Sequence, residues 1–499
     1  MRLFKRFTSV FALVLVASLL VSSVDSLANS SDGNHYTYTY DCWDVDRESP
    51  NAYSVERVIS GSDFKECGNF KDPQGVYSIG NAMYVVDTGN NRICQFVYDK
   101  DEFTYVKSVT GYKKDGKDVS LKGPQDVYVT EKGHMYIADT GNQKIVQLDE
   151  NGNLVKELGR PADKTYTEEK FFPQKLVVDN AKRIFAQVQN VNKGFMEFAD
   201  TPDEDGEYFT GFVGASEVTY DFFTYLWKMV ATKEQRAQMV LFVPTEYSNI
   251  CLDSEGFIYA TISKFDGDAA VAEPIRKLNA KGTDILVRNG YNDPYGDLRY
   301  TGEGEMKGPS KFTDICCLDN DVYYALDKTK GRIFAYDFQG NMLYAFGGHG
   351  YKAGYFMNPS AIEDLGDSLV VVDQKLGTIT QFTLTEYGRL INEGLAQYKI
   401  GEYDKSADIW REVLKKNGNY DQAYIGIGRA LLRKGQYKKA MEYFELKLDV
   451  KNYSKAYKLY REEWFEENIG TILIILVILV LLGFGVGFVK KARREVEKG

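Results

Sequence analysis

The chain has 499 residues, which predicts two or three domains. Its formal net charge of −10 at pH 7 argues against non-specific nucleic-acid binding, because lysine and arginine must neutralise phosphates there. Only three histidines are present, so we expect no imidazole metal cage. The 36 tyrosines and 29 phenylalanines favour a strand-rich structure, since flat rings pack well on pleated sheets.

The N-terminal segment is typical of a secretory signal. It combines a basic start, an apolar run and small residues at a cleavage site: Arg2, Lys5 and Arg6, then 10–21, then 26–28. We predict a signal peptide over 1–28, with an uncleaved anchor as the alternative. The polar residues 29–50, rich in Tyr and Asp, predict an irregular leader.

One motif recurs along the middle of the chain. The sequence YVVDTGNNRI at 84–93 returns as YIADTGNQKI at 136–145, and two weaker copies follow. In each copy an isoleucine follows the aspartate by six residues, which predicts the same turn between two strands. Strand units repeating at roughly 45 to 75 residues favour a propeller. The four aspartates are Asp87, Asp139, Asp327 and Asp373.

The repeats predict an all-β six-bladed propeller over 51–385. The strand-like segment 52–59 precedes the first full unit, and we expect it to complete the last blade. Pairing the chain ends in this way closes the ring and protects sheet edges. The six units begin near Pro73, Pro124, Pro173, Pro244, Pro309 and Pro359.

Residues 200–243 interrupt the repeats and predict a helical insertion. Apolar residues at helical spacing support this interpretation: Phe222, Phe223, Leu226, Trp227 and Val230. Two interpretations stay open. The insertion could cover a blade edge, or it could form a lid or docking surface at the mouth of the ring, with Trp227 as a contact to a partner.

The Asp-Thr-Gly-Asn sequences at 87–90 and 139–142 resemble those of NHL-repeat propellers. The resemblance covers about 73–384. It implies that the repeat aspartates, and the Arg or Lys after them, have a mainly structural role. Their carboxylates would accept hydrogen bonds from loop amides. The residues expected to have this role are Asp87, Asp139, Asp327 and Asp373.

From about Glu386 the strand pattern gives way to a helical one. Small and aromatic residues recur 34 positions later, a period that resembles the tetratricopeptide (TPR) repeat: Gly394, Gly401, Tyr403, Ser406 and Trp410 return as Gly428, Gly435, Tyr437, Ala440 and Phe444. Gly418 and Asn452 stand where that family usually has proline. The resemblance implies TPR-like helices over 386–468 and protein partners, with Trp410, Tyr437 and Phe444 as candidate docking residues.

Residues 469–489 form a run of 21 residues without a charge, which predicts a transmembrane helix. Four basic residues follow it: Lys490, Lys491, Arg493 and Arg494. Basic residues favour the cytoplasmic side, so the tail 490–499 is expected inside. The propeller and the helical repeats would then lie outside the cytoplasm.

The six cysteines do not form a dense disulfide pattern. Cys42 and Cys67 lie in the irregular N-terminal part and could pair. No Cys-x-x-Cys is present, so redox or zinc chemistry is not expected. The remaining cysteines lie in apolar runs, where a thiol acts as a small hydrophobe: Cys94, Cys251, Cys316 and Cys317.

The residues after the unit-starting prolines are expected to ring one mouth of the channel. Neutral amides and hydroxyls with tyrosines nearby would suit a sugar better than an ion, so we expect no metal and no cofactor. A ring that binds only itself and water is the alternative. The predicted rim residues are Gln74, Gln125, Gln174, Thr245, Ser310 and Ser360, with Glu246 as the nearby carboxylate.

These features predict a non-enzymatic, single-pass membrane protein with protein partners. An accessory subunit of a transporter or an envelope-polysaccharide assembly fits the short tail. Two other classes stay open: a glycan-binding propeller, and a lactonase-like or lyase-like enzyme with a metal in its channel. No residue is predicted to be catalytic.

Overall fold

The computed structural model describes residues 37–43, 45–214, 246–262, 273–290, 293–297, 308–318 and 321–497. The signal segment, Trp227, and Pro244 and Thr245 lie outside these residues, as does most of the expected helical insertion. The chain divides into two units. One contains the residues up to Tyr38 and Asn51–Thr385; the other contains Thr39–Pro50 and the residues from Glu386 onward.

The first unit is a six-bladed β-propeller, in which each blade is an antiparallel sheet. Three strands precede the first blade: β1 (Thr37–Tyr40), β2 (Asp46–Glu48) and β3 (Tyr53–Ser60). Of these, β2 and the end of β1 belong to the second unit, and both strands lie in the segment predicted to be irregular. Blade one contains β4 (Gly75–Ile79), β5 (Ala82–Asp87), β6 (Arg92–Asp99) and β7 (Glu102–Val109). A hairpin of β8 (Gly111–Lys114) and β9 (Lys117–Ser120) follows. Blade two contains β10 (Asp126–Val129), β11 (Met135–Asp139), β12 (Lys144–Leu148) and β13 (Leu154–Leu158).

The remaining blades repeat this order. Blade three contains β14 (Pro173–Val178), β15 (Ile184–Val188), β16 (Phe195–Phe198) and β17 (Phe209–Val213). The described part of blade four contains β18 (Asn249–Leu252), β19 (Ile258–Thr261) and β20 (Ile275–Leu278). Blade five contains β21 (Phe312–Cys317), β22 (Tyr323–Asp327), β23 (Arg332–Tyr336) and β24 (Met342–Gly347). Blade six contains β25 (Pro359–Leu365), β26 (Ser368–Asp373) and β27 (Thr378–Leu384).

The hydrophobic core lies between neighbouring blades. Every residue of β11, β22 and β26 is buried, because a second strand is covered on both faces by the adjacent blades. The outermost strand β7 instead alternates between exposed and half-buried residues. This difference explains why the second strands are continuous apolar runs in the sequence.

The N-terminal strand β3 closes the ring by pairing with β27. The register runs from Ser60 opposite Thr378 to Tyr53 opposite Leu384. This pairing confirms the expectation that the segment before the first unit completes the last blade. Closure gives the last blade a fourth strand and joins the two ends of the propeller through main-chain hydrogen bonds.

The repeat aspartates fasten the loop that enters their own blade. The Asp87 carboxylate accepts the Lys71 amide at 2.7 Å, and the Asp139 carboxylate accepts the Lys122 amide at 2.8 Å. Asp327 and Asp373 accept the amides of Lys311 (2.9 Å) and Met357 (2.6 Å) in the same way. All four are buried. Each carboxylate therefore satisfies a backbone donor that the strand ladder leaves free.

Hydroxyl groups connect one blade to the next. Thr88 Oγ1 donates to the Pro124 carbonyl at 2.7 Å, and Thr140 Oγ1 donates to the Pro173 carbonyl. At the closure, Ser360 Oγ donates to the Pro73 carbonyl at 3.0 Å. The proline that begins each of these units is thus held by the preceding blade.

Replacing Asp139 by alanine should destabilise the propeller strongly. The variant leaves the Lys122 amide without its acceptor and removes one of the two acceptors of the Asn142 side-chain amide, which also donates to the Ser120 carbonyl at 3.0 Å. Losing these two hydrogen bonds to a buried carboxylate should cost about 2 to 4 kcal/mol. Thermal unfolding of the full chain in detergent would measure this loss. The exposed Asp118→Ala is the matched control, and an equal effect of both variants would contradict the assignment.

The second unit contains paired helices followed by one long helix. Its helices are α1 (Glu386–Lys399), α2 (Tyr403–Lys416), α3 (Asp421–Arg433), α4 (Tyr437–Leu446) and α5 (Val450–Val496). A Cβ on Gly426 would lie 2.6 Å from Trp410 Nε1, and a Cβ on Gly428 would lie 2.6 Å from Phe444 Cε1. Only glycine allows these helices to approach the aromatic rings so closely.

This packing revises two of the predicted docking residues. Trp410 is 2% exposed and Phe444 is fully buried, so both belong to the core of the helical unit. Tyr437 is half-buried. Gly428, one of the glycines that suggested the repeat, makes room for Phe444, and Gly426, which was not part of that pattern, makes room for Trp410.

Helix α5 is long and apolar enough to cross a membrane, with a mean hydropathy of 3.2 over its most apolar part. Its side chains from Leu473 to Leu482 are all exposed in the protein chain. An exposed apolar surface of this length is compatible with a single-pass membrane anchor.

The cysteines are all free thiols. Cys67 Sγ lies 3.9 Å from Cys94 Sγ, and both residues are buried in blade one and the loop before it. Cys42 belongs to the second unit. Cys94 is therefore a second candidate partner for Cys67, which the sequence did not reveal.

Mild oxidation with oxidised glutathione should link Cys67 to Cys94. Their sulfur atoms, 3.9 Å apart, need to approach by about 2 Å to form a bond of about 2.0 Å. The reaction should be slow, because burial raises the pKa of both thiols and only the thiolate attacks. Peptide mass mapping under non-reducing conditions would detect the linked peptide. It should disappear in Cys94→Ser and persist in Cys42→Ser. A peptide linking Cys42 to Cys67 would contradict this prediction.

Candidate ligand site in the central channel

The first strands of the six blades surround a central cavity of about 760 Å³. Each of these strands contacts its neighbours around the ring. Residues from all six line the cavity: β4, β10, β14, β18, β21 and β25. A volume of this size lies within the range of small-molecule sites.

Charged side chains dominate the interior of this cavity. Asp126, Asp314 and Glu363 contribute carboxylates, and Lys175 contributes an ammonium group. Lys175 Nζ lies 3.7 Å from Asp126 Oδ1. These four residues therefore give the cavity more acidic than basic groups.

Asp126 and Asp314 bridge neighbouring blades through the backbone. The Asp126 carboxylate accepts the Leu176 amide of blade three at 2.9 Å, and the Asp314 carboxylate accepts the Ile362 amide of blade six at 2.7 Å. Gly75 makes room for Asp126, because a Cβ there would lie 3.2 Å from Asp126 Oδ1. These two aspartates therefore contribute to the structure as well as to the charge of the channel.

Burial changes the protonation of these groups. It raises the pKa of Asp314 to about 6, against the opposing effect of Lys175. The pKa of Asp126 is also raised by burial. Burial lowers the pKa of Lys175, but Asp126, Asp314 and Glu363 outweigh it and raise that pKa overall. Lys175 thus stays charged while the acids hold their protons to a higher pH than usual.

Glu363 differs from the two aspartates. Its carboxylate accepts no hydrogen bond within the described ranges, and the nearby charges that act on it most strongly are those of Asp364, Cys251 and Asp314. Burial and these neighbours raise its pKa well above the ordinary value. Glu363 is therefore a half-buried acid in need of a proton or a cation.

The remaining wall combines aromatic rings and amides. The rings of Tyr77 and Tyr128 lie with their centroids 4.8 Å apart, and both are half-buried. Gln147 is 5% exposed, and its Oε1 has no hydrogen-bond partner. Asn249 Oδ1 accepts a hydrogen bond from the Ile250 amide at 2.6 Å. The wall thus offers aromatic faces and a buried acceptor.

The predicted rim residues do not line this cavity. Gln74, Gln125 and Gln174 are half-buried. In each blade they precede, along the sequence, the residues that line the cavity. Ser310 Oγ donates to Asp327 at 2.9 Å, so its hydroxyl is used inside blade five.

Ser360 and Glu246 also have structural partners. Ser360 Oγ donates to Pro73, as described above, and Glu246 Oε1 accepts the Asn190 amide at 3.1 Å. The cavity is thus lined by charged residues further along the strands, and the neutral ring at one mouth of the channel stays a prediction.

The sequence contained one signal for this site. Asp126, Lys175, Asp314 and Glu363 are charged residues inside or at the start of otherwise apolar first strands. Such residues are rarely buried without a partner or a function. The residue directly after each unit-starting proline gave a more regular pattern, because glutamine recurs there in three units. That pattern favoured the wrong position in the strand for the cavity lining.

The described residues contain no group of three His, Cys, Asp or Glu side chains placed to hold one metal ion. Two of the channel carboxylates already accept backbone amides, as described above. The arrangement can neutralise a single positive charge more readily than it can chelate an ion.

No family model matches the sequence, and no curated protein matches it. Among solved structures, virginiamycin B lyase from Staphylococcus aureus is 12% identical, with a TM-score of 0.37 over 67% of this chain and 100% of that one. A protein of unknown function from Bacteroides thetaiotaomicron is 12% identical, with a TM-score of 0.39 over 70% of this chain and 76% of that one. The extracellular domain of a hybrid two-component system from the same organism is 14% identical, with a TM-score of 0.35 over 67% of this chain and 39% of that one. The similarity is one of fold.

The stability of the propeller should fall as the pH rises from about 4 to about 6. In this window folded Asp314, with its pKa near 6 instead of 3.8, holds a proton that the unfolded chain releases. The difference of roughly two pKa units corresponds to about 3 kcal/mol, lost as the pH rises to 7.

Thermal unfolding of the full chain between pH 4.5 and 7.5 would measure this dependence. Asp314→Asn should reduce the slope, even though it lowers stability at every pH by disturbing the backbone contacts. The exposed Asp118→Asn should keep the slope of the original chain. An unchanged slope in Asp314→Asn would show that other groups cause the dependence.

Proposed function

We propose that the protein is a non-enzymatic, single-pass membrane protein that holds an NHL-like propeller and TPR-like helices outside the cytoplasm as an interaction scaffold. The observation that carries this proposal is helix α5, whose exposed apolar segment directly continues the helical unit. A soluble protein would bury such a segment. The anchor places both interaction modules at a membrane surface.

The ends of α5 support the orientation. Trp464 and Phe465 are exposed before the apolar segment, where aromatic rings favour the membrane interface. Basic residues follow it, ending with Arg493 and Arg494 in the last turn. Since basic residues favour the cytoplasmic side, the propeller is assigned to the other side.

The helical unit exposes apolar side chains at the ends of its helices. Leu446 and Leu448 are 65% and 54% exposed, and Ile400 is 70% exposed. We favour the role of an accessory subunit of a transporter or of an envelope-polysaccharide assembly, whose other subunits would be the partners. The metal-dependent hydrolase or lyase has less support, since the described channel lacks a grouped set of metal ligands.

The orientation can be tested by protease accessibility in intact cells. A tag added after Gly499 should be protected, whereas the propeller should be digested, because the basic tail keeps the C-terminus inside. Replacing Lys490, Lys491, Arg493 and Arg494 by glutamate should reduce the protected fraction. Protection of the propeller in the original chain would contradict the proposed topology.

The scaffold role can be tested by purification from native membranes in mild detergent. Membrane-complex subunits should co-purify with the full chain, and the double variant Leu446→Glu, Leu448→Glu should lose them because charge disrupts an apolar contact. Val106→Glu, at an exposed position of β7, is the control. Recovery of the protein alone, or equal loss in the control, would contradict the role of this helical face.

A further inference from the structure

We infer that the central channel is a binding site for a small organic cation with a primary ammonium group, and that Glu363 is its counter-ion. This inference goes beyond the scaffold function and does not depend on it. It rests on the cavity, on the distribution of charge within it, and on which of its polar groups lack partners.

The charge of the channel calls for a cation. Lys175 pairs with Asp126, while Asp314 and Glu363 have no basic group within ion-pair distance in the described chain. A carboxylate removed from water is costly unless a positive charge or a proton compensates it. Asp314 receives backbone amides, and Glu363 receives none.

The unpartnered groups of the wall define what the ligand must donate. Glu363 and Gln147 Oε1 are both acceptors, and the Gln147 side chain is more than nine-tenths buried. A ligand that satisfies them must carry N–H or O–H donors. A primary ammonium group supplies three donors and one positive charge. Its charge would replace the proton that burial favours on Glu363, and another donor of the ligand would bind Gln147 Oε1.

The aromatic rings also favour an organic cation. Tyr77 and Tyr128 line the same cavity as Glu363, and an ammonium group is attracted to the faces of such rings. A bare divalent ion instead requires several oxygen ligands at short distance. Among the described side chains no three acidic, cysteine or histidine groups meet this requirement.

Lys175 makes an anionic ligand unfavourable. Its ammonium group is surrounded by Asp126, Asp314 and Glu363, so its charge is already compensated. A ligand carrying a carboxylate or a phosphate would meet the three acids. The site should therefore select amines that carry no negative group.

Isothermal titration of the full chain in detergent at pH 7.5 would test the inference. The probes are ethanolamine, putrescine and glucosamine, each up to 50 mM, with N-acetylglucosamine and glucose as uncharged counterparts of glucosamine. At least one amine should bind, and the uncharged sugars should bind at least about tenfold more weakly, because they lack the charge that pairs with Glu363.

Glu363→Gln should weaken the binding of that amine by about tenfold or more. Glu102→Gln, at an exposed position of β7, is the matched control and should bind as the original chain does. Unfolding temperatures of both variants would show whether each remains folded. Should Glu363→Gln fail to fold, Gln147→Leu, which removes the buried acceptor, should still weaken binding.

Three outcomes would overturn the inference. The first is that none of the three amines binds. The second is that N-acetylglucosamine binds as tightly as glucosamine, which would indicate a neutral sugar site. The third is that calcium binds and displaces the amines, with loss of calcium binding in Glu363→Gln, which would indicate a metal site.

Discussion

The propeller depends on buried carboxylates that accept backbone amides where the β-ladders leave donors free. Asp87 and its three counterparts hold the loop that leads into each of their blades. Asp126 and Asp314 hold the first strand of the following blade. Each carboxylate satisfies donors that would otherwise be buried without partners, so one residue type secures both the turns and the junctions of the ring.

The use of carboxylates at the blade junctions determines the charge of the channel. Carboxylates that secure the junctions also place negative charge around the axis. The cavity lining contains more acidic residues than lysines, and Lys175 pairs with Asp126. The ring therefore keeps some acids protonated at a pH where free carboxyl groups are ionised. Glu363 adds an acid that no blade junction uses, and a cation bound in the channel would replace the proton that burial favours on it.

The helical unit depends on close packing between its helices. Glycine at 426 and 428 allows Trp410 and Phe444 to fill the space between helices, so the largest aromatic residues become core. Aliphatic residues at helix ends, such as Leu446 and Leu448, remain exposed instead. Close packing explains both the regular repeat and the location of its exposed face.

Much of the architecture was readable from the sequence, because it depends on local patterns. The repeated spacing from aspartate to isoleucine indicated the turn of each blade, and the segment 52–59 indicated the strand that closes the ring. The uncharged run 469–489 predicted the apolar part of α5. Turn chemistry, strand alternation and hydrophobic length act over a few neighbouring residues, so the sequence by itself determined these features.

Only the tertiary structure decided which side chains share a site. Asp126, Lys175, Asp314 and Glu363 come from four blades, and the curvature of the ring and the register of each first strand bring them to one cavity. The contact of Cys67 with Cys94, and the burial of Trp410, likewise arise from packing between distant segments. The sequence predicted a neutral mouth from one position in each repeat. The charge of the channel depends on where the chain places residues that are far apart along it.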